Sequence, residues 1–196
     1  MTYLFLDTSS STLLLSLIKD DKEIDKIVLE STKEHSIYAV SKLEEILSNN
    51  GLKPNDINKI FVTIGPGSFT GIRIGVTIAK TYAYCLNIDI TPVSSLKMKI
   101  LEYNNYDNYV SVIKDKRDLV YVGIYDKNYN TKFEGLITLE QLENRLNELS
   151  NYILVESEND DINRKDLNIM SVINYYKNVA SVNPHEVNPI YLKEVI

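Results

Sequence analysis

The chain has 196 residues, enough to bury a sizeable core in one or two domains of roughly 100–200 residues each, and its apolar (44%) and charged (24%) fractions exclude a disordered, collagen-like or low-complexity polymer. Twenty-one basic against twenty-seven acidic side chains give a net charge of -6 and a pI near 5.0, the wrong sign for a protein that holds a phosphate backbone unaided, so a nucleic-acid role would run through a partner. The single cysteine, Cys85, rules out an intramolecular disulfide and a multi-cysteine zinc site, and its apolar surroundings predict a buried thiol. No apolar run approaches the ~20 residues of a membrane span. The first residues lack a basic n-region and meet Asp7 almost at once, which is not a secretory signal and makes the cytoplasm the expected compartment.

In chain order, residues 3–7, 13–19 and 24–31 are short β-prone runs parted by a Ser/Thr loop at 8–12 and an Asp20-Asp21-Lys22 turn, an antiparallel meander. Ile37, Val40, Leu43, Ile46 and Leu47 then fall at helical spacing, with Ser36 as N-cap and Asn50-Gly51 as stop signal. A buried strand at 59–64 ends in Gly-Pro-Gly, a long helix occupies 69–86, and a strand at 90–93 leads to a helix at 94–103. From Tyr109 the order returns: strands at 109–114, 119–126 and 132–137, a helix at 138–149, a strand at 152–156 and a helix at 168–179. Residues 159–166 read as a polar loop, and the tail from Asn183, with Pro184 and Pro189, as an extended C-terminal strap. Two βββαβα units in succession predict an α/β fold of the duplicated ribonuclease-H-like type, as in actin, Hsp70 and sugar kinases. The polar 104–108 stretch divides it into a first subdomain, 1–105, and a smaller second one, 106–196, that carries the strap.

Four of the seven glycines fall in the segment 65–75. A glycine-rich turn between a buried strand and a helix offers backbone N–H groups and a positive helix end to an anion. Gly65, Gly67, Ser68 and Thr70, with Asp7 and Thr8 at the end of the first strand, are therefore candidates for a vestigial anion or nucleotide loop. The Gly-Lys-Ser/Thr of a Walker loop and the dinucleotide G-x-G-x-x-G spacing are both missing. In actin-fold kinases and ATPases the acid of the first phosphate loop usually has a glycine two residues on, where this chain has Ser9. The matching loop of the second half reads Asp115-Lys116-Arg117-Asp118, bulky where a compact turn is expected, and the Gly-Gly pair of an adenosine loop has no counterpart, Gly123 and Gly135 lying far apart. His35 and His185, the only histidines, are 150 residues apart and lack metal-binding spacing, so His35 reads as the residue leading into the first helix. The strand at 59–64 ends without the acid that two-metal nuclease chemistry needs, and no G-x-S-x-G elbow occurs. Neither a metal site nor a catalytic residue is expected.

The same segment has a second reading. Gly71, Gly75, Ala79 and Ala83 recur every four residues and stack on one ridge of the long helix. Each glycine costs about 1 kcal/mol relative to alanine inside a helix. Either close approach by another subunit's helix or tight packing within the chain's own core would offset that cost. On the first alternative, Tyr82 and Tyr84 beside the ridge suit an interface.

Taken together, Leu6-Asp7-Thr8-Ser9, Lys33-Glu34-His35-Ser36, the string GPGSFTGIRIG at 65–75, Val93-Ser94-Ser95-Leu96, Asp115-Lys116-Arg117 ahead of Val120-Tyr121, and Pro189-Ile190-Tyr191-Leu192 resemble the TsaB (YeaZ) family over nearly the whole chain. Its members are non-catalytic paralogues of TsaD in bacterial tRNA threonylcarbamoyladenosine synthesis. The missing histidine pair separates the chain from TsaD itself. The resemblance implies a two-domain actin-like fold with no catalytic residue and no cofactor of its own. It also implies a heterodimer with TsaD through the two N-terminal-domain helices, here 36–47 and 69–86. The interface would then comprise Gly71, Ile72, Gly75, Val76, Ala79, Tyr82 and Ala83 with Val40 and Leu43, and the same helices would serve a homodimer of the isolated chain. The ATPase TsaE joins that pair and uses the ATP, TsaD holds the metal, and tRNA is met only through the complex. The rival reading is an independent actin-fold ATP-dependent enzyme, kinase-like or peptidase-like. Two departures from the family pattern are the short second domain and Lys193, where many members carry arginine.

Overall fold

The structure is a computed structural model that describes residues 1–30, 35–157 and 166–192. The first half opens with the antiparallel meander β1 (Thr2–Asp7), β2 (Thr12–Lys19) and β3 (Lys22–Glu30). Asp20 and Asp21 hold φ of 51° and 59° between paired Lys19 and Lys22, the two left-handed residues that a tight type I′ hairpin demands. There follow α1 (His35–Asn49), β4 (Lys59–Gly65), α2 (Phe69–Leu86) and β5 (Asp89–Ser94), in a sheet of order β3-β2-β1-β4-β5 with β4 parallel to both β1 and β5. The second half repeats the plan with β6 (Asn108–Lys114), β7 (Leu119–Asp126), β8 (Thr131–Thr138), α3 (Leu139–Asn147), β9 (Tyr152–Ser157) and α4 (Ile169–Tyr176), in a sheet of order β8-β7-β6-β9 with β6 and β9 parallel. This is the duplicated ribonuclease-H-like α/β fold, with β5 added to the first unit.

Side chains alternate faces along each strand, which sorts the apolar residues into layers. Leu4 and Leu6 of β1 and Leu13, Leu15 and Leu17 of β2 pack under α1 and α2. Phe5, Leu14, Ile18 and Phe61 point to the opposite face, where they meet Tyr109, Ile113 and Tyr125 of the second sheet and Ile169, Val172, Ile173 and Tyr176 of α4. On the outer face of the second sheet, Leu142 of α3 packs with Val110, Val112, Val120 and Val122. The two sheets therefore share the central core, and the division near residue 105 separates sheets without separating cores.

Three expectations are corrected. Residues 94–103 form no α-helix beyond a 3-10 turn at Lys97–Lys99. Two of the N–H groups that would open the helix are engaged, Ser94 N donating to Tyr176 Oη at 3.1 Å and Ser95 N to Gly65 O at 2.9 Å. Burial of Leu96, Met98, Lys99, Ile100 and Leu101 also leaves little of the polar face a surface helix needs. The strap, expected with the second subdomain, packs on the first. Val182 bridges Ile90 of edge strand β5, and a register shift between Thr63 and Gly65 leaves Ile64 outside the β4–β5 ladder, so its carbonyl accepts Ile190 N at 2.8 Å. Finally, α1 begins at His35, which puts Ser36 inside the helix and not at its cap. The expected stop at Asn50-Gly51 stands, with Gly51 at φ 64° and Gly51 N donating to Ser48 O. Lys33, Glu34, Lys193 and nearly all of the polar loop expected at 159–166 lie outside the described residues. Among the described residues no helix is long and apolar enough to cross a membrane.

Candidate functional site

The sequence singled out the junction where β1 ends and α2 begins, and the fold brings Asp7, Thr8, Gly67, Ser68 and Gly71 together there. Asp7, wholly buried, turns its Oδ1 back to accept Ser9 N at 2.8 Å and Thr63 Oγ1 at 2.5 Å. Thr8 Oγ1 donates to Gly71 O at 2.7 Å, Ser68 N donates to Ser9 O at 2.7 Å, and Ser68 Oγ caps α2 by accepting Gly71 N at 3.2 Å. The glycines permit this closeness. A Cβ at Gly67, whose φ is 153°, would lie 2.2 Å from Ser9 O, and a Cβ at Gly71 would lie 2.0 Å from Thr8 O. The space in front of both glycines is thus filled by the Thr8–Ser9 backbone, and N–H groups of Ser9, Ser68 and Gly71 that could greet a phosphate are bonded inside the junction. Gly65 is buried, whereas Ser68 and Thr70 reach solvent. The matching loop of the second half is also closed on itself, with Asp115 N bonded to Leu119 O at 2.9 Å and Arg117 at φ 60°.

Thr63 and Ser95 join this junction without a place in the expected loop, and His35, which leads into α1 as expected, is tied to it as well. Thr63 is the polar exception in the apolar run from Ile60 to Ile64, and Ser95 Oγ donates to Ser9 Oγ at 3.1 Å. Buried His35 sets its Nε2 2.7 Å from Ser10 O, which fixes that nitrogen as the donor and ties the start of α1 to the loop. A polar residue inside an apolar run was the available signal for Thr63. Among the described residues no group of three or more metal-binding side chains occurs.

The small-residue ridge faces inward, which corrects the interface expectation. Ala79 and Ala83 are 1% and 0% exposed, Gly71 and Gly75 abut Thr8, and Ile72, Val76 and Leu43 are buried in the same core. A partner cannot reach these seven residues in the folded chain. Of the expected set, Val40, half exposed, and Tyr82, half-buried, come to the surface, where burial and nearby Glu44 push the Tyr82 phenol upward in pKa. Ile37 and Tyr38 of α1 join them, with Ile74 and Ile78 partly covered on α2. The outer faces of α1 and α2 therefore carry an apolar surface that the ridge argument had placed on the wrong side of the helix. Cys85 is exposed and not buried, because two steps beyond inward Ala83 carry it about 200° around the helix.

A family model described as TsaD, tRNA N6-adenosine threonylcarbamoyltransferase, matches residues 27–143. A protein of Buchnera aphidicola subsp. Schizaphis graminum named tRNA threonylcarbamoyladenosine biosynthesis protein TsaB is 31% identical over 164 residues, 78% of this chain and 76% of that protein. The chain belongs to the TsaB (YeaZ) family. The TsaB of Bacillus subtilis is 41% identical over 126 residues, 64% of this chain, so that the match spans 55% of the relative's length. An uncharacterized Mycoplasma genitalium protein, MG208, is 30% identical over 199 residues, 98% of this chain and 95% of its own. The fold is that of YeaZ from Pseudomonas aeruginosa, which superposes with a TM-score of 0.74 at 18% identity over 97% of this chain and 99% of that one.

Proposed function

We propose that this TsaB-family chain is a non-catalytic scaffold subunit of the cytoplasmic complex that forms threonylcarbamoyladenosine next to the anticodon of tRNAs. It docks the threonylcarbamoyltransferase TsaD on the outer faces of α1 and α2, and TsaE joins the assembled complex. The observation that carries the reading is the closed junction: the space in front of Gly67 and Gly71, in the glycine-rich turn that could cradle an anion, is filled by Ser9 and Thr8. Catalysis, the metal and ATP use then belong to the partners, and this chain needs no cofactor. The net charge of -6 supports contact with tRNA through the complex and not alone. The apolar surface of Ile37 and Val40 supports the docking face, and the same face would hold a homodimer when the partner is missing.

The test is association of the full chain with TsaD, comparing wild type with the pair Ile37→Glu and Val40→Glu. Both positions face solvent, so the monomer should melt nearly as wild type, while affinity falls by at least about tenfold, or 1.4 kcal/mol. Full affinity in that variant would sink the docking face. The kinase-like alternative has its own assay, because ATP turnover by the lone chain that disappeared in Asp7→Ala would replace the scaffold reading.

A further inference from the structure

On the flank of α2 opposite α1, the strap crosses the helix and three side chains lock together. The Arg73 guanidinium stacks over the Phe69 ring at 3.8 Å from its centroid, its Nε donates to Tyr191 Oη at 2.8 Å, and the Phe69 and Tyr191 rings lie 5.4 Å apart. Both rings remain about half exposed, 55% and 51%. No described carboxylate pairs with Arg73, although acids outnumber bases in the chain. Its outer edge, the two Nη groups, is thus held in one orientation and left open. A guanidinium with a fixed plane and a free fork is suited to bidentate recognition of a carboxylate, and stacking on aromatic rings lowers the rotamer entropy lost on binding.

We infer that Arg73, clasped by Phe69 and Tyr191, is a preorganised anchor for a carboxylate side chain of the protein partner docked on α1 and α2. The inference rests on the proposed docking of TsaD. Charge distribution selects the partner chemistry. The sequence of α2 contains no acid, whereas α1 exposes Glu44 and Glu45 with Lys42 as its only cation. A protein laid across both helices therefore meets a basic edge at Arg73 and an acidic one at α1, a pattern that fixes register. An RNA phosphate would suit the same fork, but its neighbouring phosphates would approach a surface of net negative charge.

The experiment titrates TsaD into the full chain as wild type, Arg73→Gln, Arg73→Lys and Tyr191→Phe, at low and moderate salt, with thermal melting of each monomer. Arg73 is exposed, so melting should change little. Affinity should fall at least about tenfold in Arg73→Gln with a flatter salt dependence. Arg73→Lys should recover only part of it, since a point charge lacks the fork, and Tyr191→Phe should give a smaller loss by releasing the guanidinium. Wild-type affinity in Arg73→Gln, alongside weakened binding by the Ile37→Glu, Val40→Glu variant, overturns the anchor and leaves the docking face standing. Absence of any wild-type binding overturns both. Unchanged TsaD affinity with weakened tRNA binding by the complex, or with loss only of a homodimer, assigns the fork to phosphate or to a second copy and likewise overturns the inference.

Discussion

Thr8 occupies the position from which two glycines of α2 are dictated. Its carbonyl oxygen would lie 2.0 Å from a Cβ at Gly71, and its Oγ1 would lie 2.3 Å from a Cβ at Gly75. Backbone cannot yield as a rotatable hydroxyl can, so the two positions separate in a way that helix propensity alone does not foresee. Alanine gains about 1 kcal/mol over glycine in a helix interior, and that gain opposes a clash at both sites. Gly71→Ala should be destabilised by about 2 kcal/mol or more, as overpacking against fixed atoms costs. Gly75→Ala should lose less, and combining it with Thr8→Ala should restore most of the loss. Urea denaturation of the four proteins checks this. A Gly71→Ala variant more stable than wild type would show that the junction is looser than its distances indicate.

At the level of elements, α2 was readable to the residue in extent, because Ser68 caps it and its apolar period is long, while its orientation was not. Spacing groups Gly71, Gly75, Ala79 and Ala83 on one ridge but does not say whether the surface approached belongs to another helix or to the chain's own sheet. That information sits in Thr8, 63 residues from Gly71. The anion-loop candidates were legible for the same reason that they are closed: glycine at 67 and 71 signals close approach by something, and the backbone carbonyls of Ser9 and Thr8 are what approach. Residues 94–103 depart from the expectation because the apolar residues of a largely buried segment mimic a helix period. The strap is extended only in part, since Pro184 opens a 3-10 turn at Pro184–Glu186, and its docking partner depends on a register shift beside Ile64 that no local pattern encodes. The inward ridge makes a clear prediction. Ala79→Leu with Ala83→Leu keeps good helix formers yet overfills the interior, so the lone chain should lose about 1–3 kcal/mol per site in denaturant unfolding. Undiminished stability with lost TsaD binding would return the ridge to the interface.

Over the whole molecule, the central core shared by the two sheets carries an unusual load of phenols. Tyr125, from β7, donates to Glu134 Oε1 at 2.7 Å, and Tyr176, from α4, accepts Ser94 N at 3.1 Å. Burial first, and for Tyr125 the adjacent Glu134 next, push both phenols far above their ordinary pKa, while Tyr129 is pushed up to about 12. In the unfolded chain these groups ionise near pH 10. Above that pH the folded state binds more protons than the unfolded one, so stability falls as pH rises; below it the contribution is complete and flat. Tyr125 and Tyr176 together should remove up to about 2.7 kcal/mol per pH unit between the unfolded and folded values, unfolding both halves at once because the phenols lie between the sheets. Denaturant melts from neutral pH to about pH 11 should show a plateau and then this decline. Tyr176→Phe should reduce the slope by up to about 1.4 kcal/mol per pH unit, the share of one phenol. Tyr125→Phe should also flatten it, at some cost near neutrality because the half-buried Glu134 loses its donor. An alkaline slope unchanged in the double Phe variant would mean that the shared core does not govern the cooperativity of the fold.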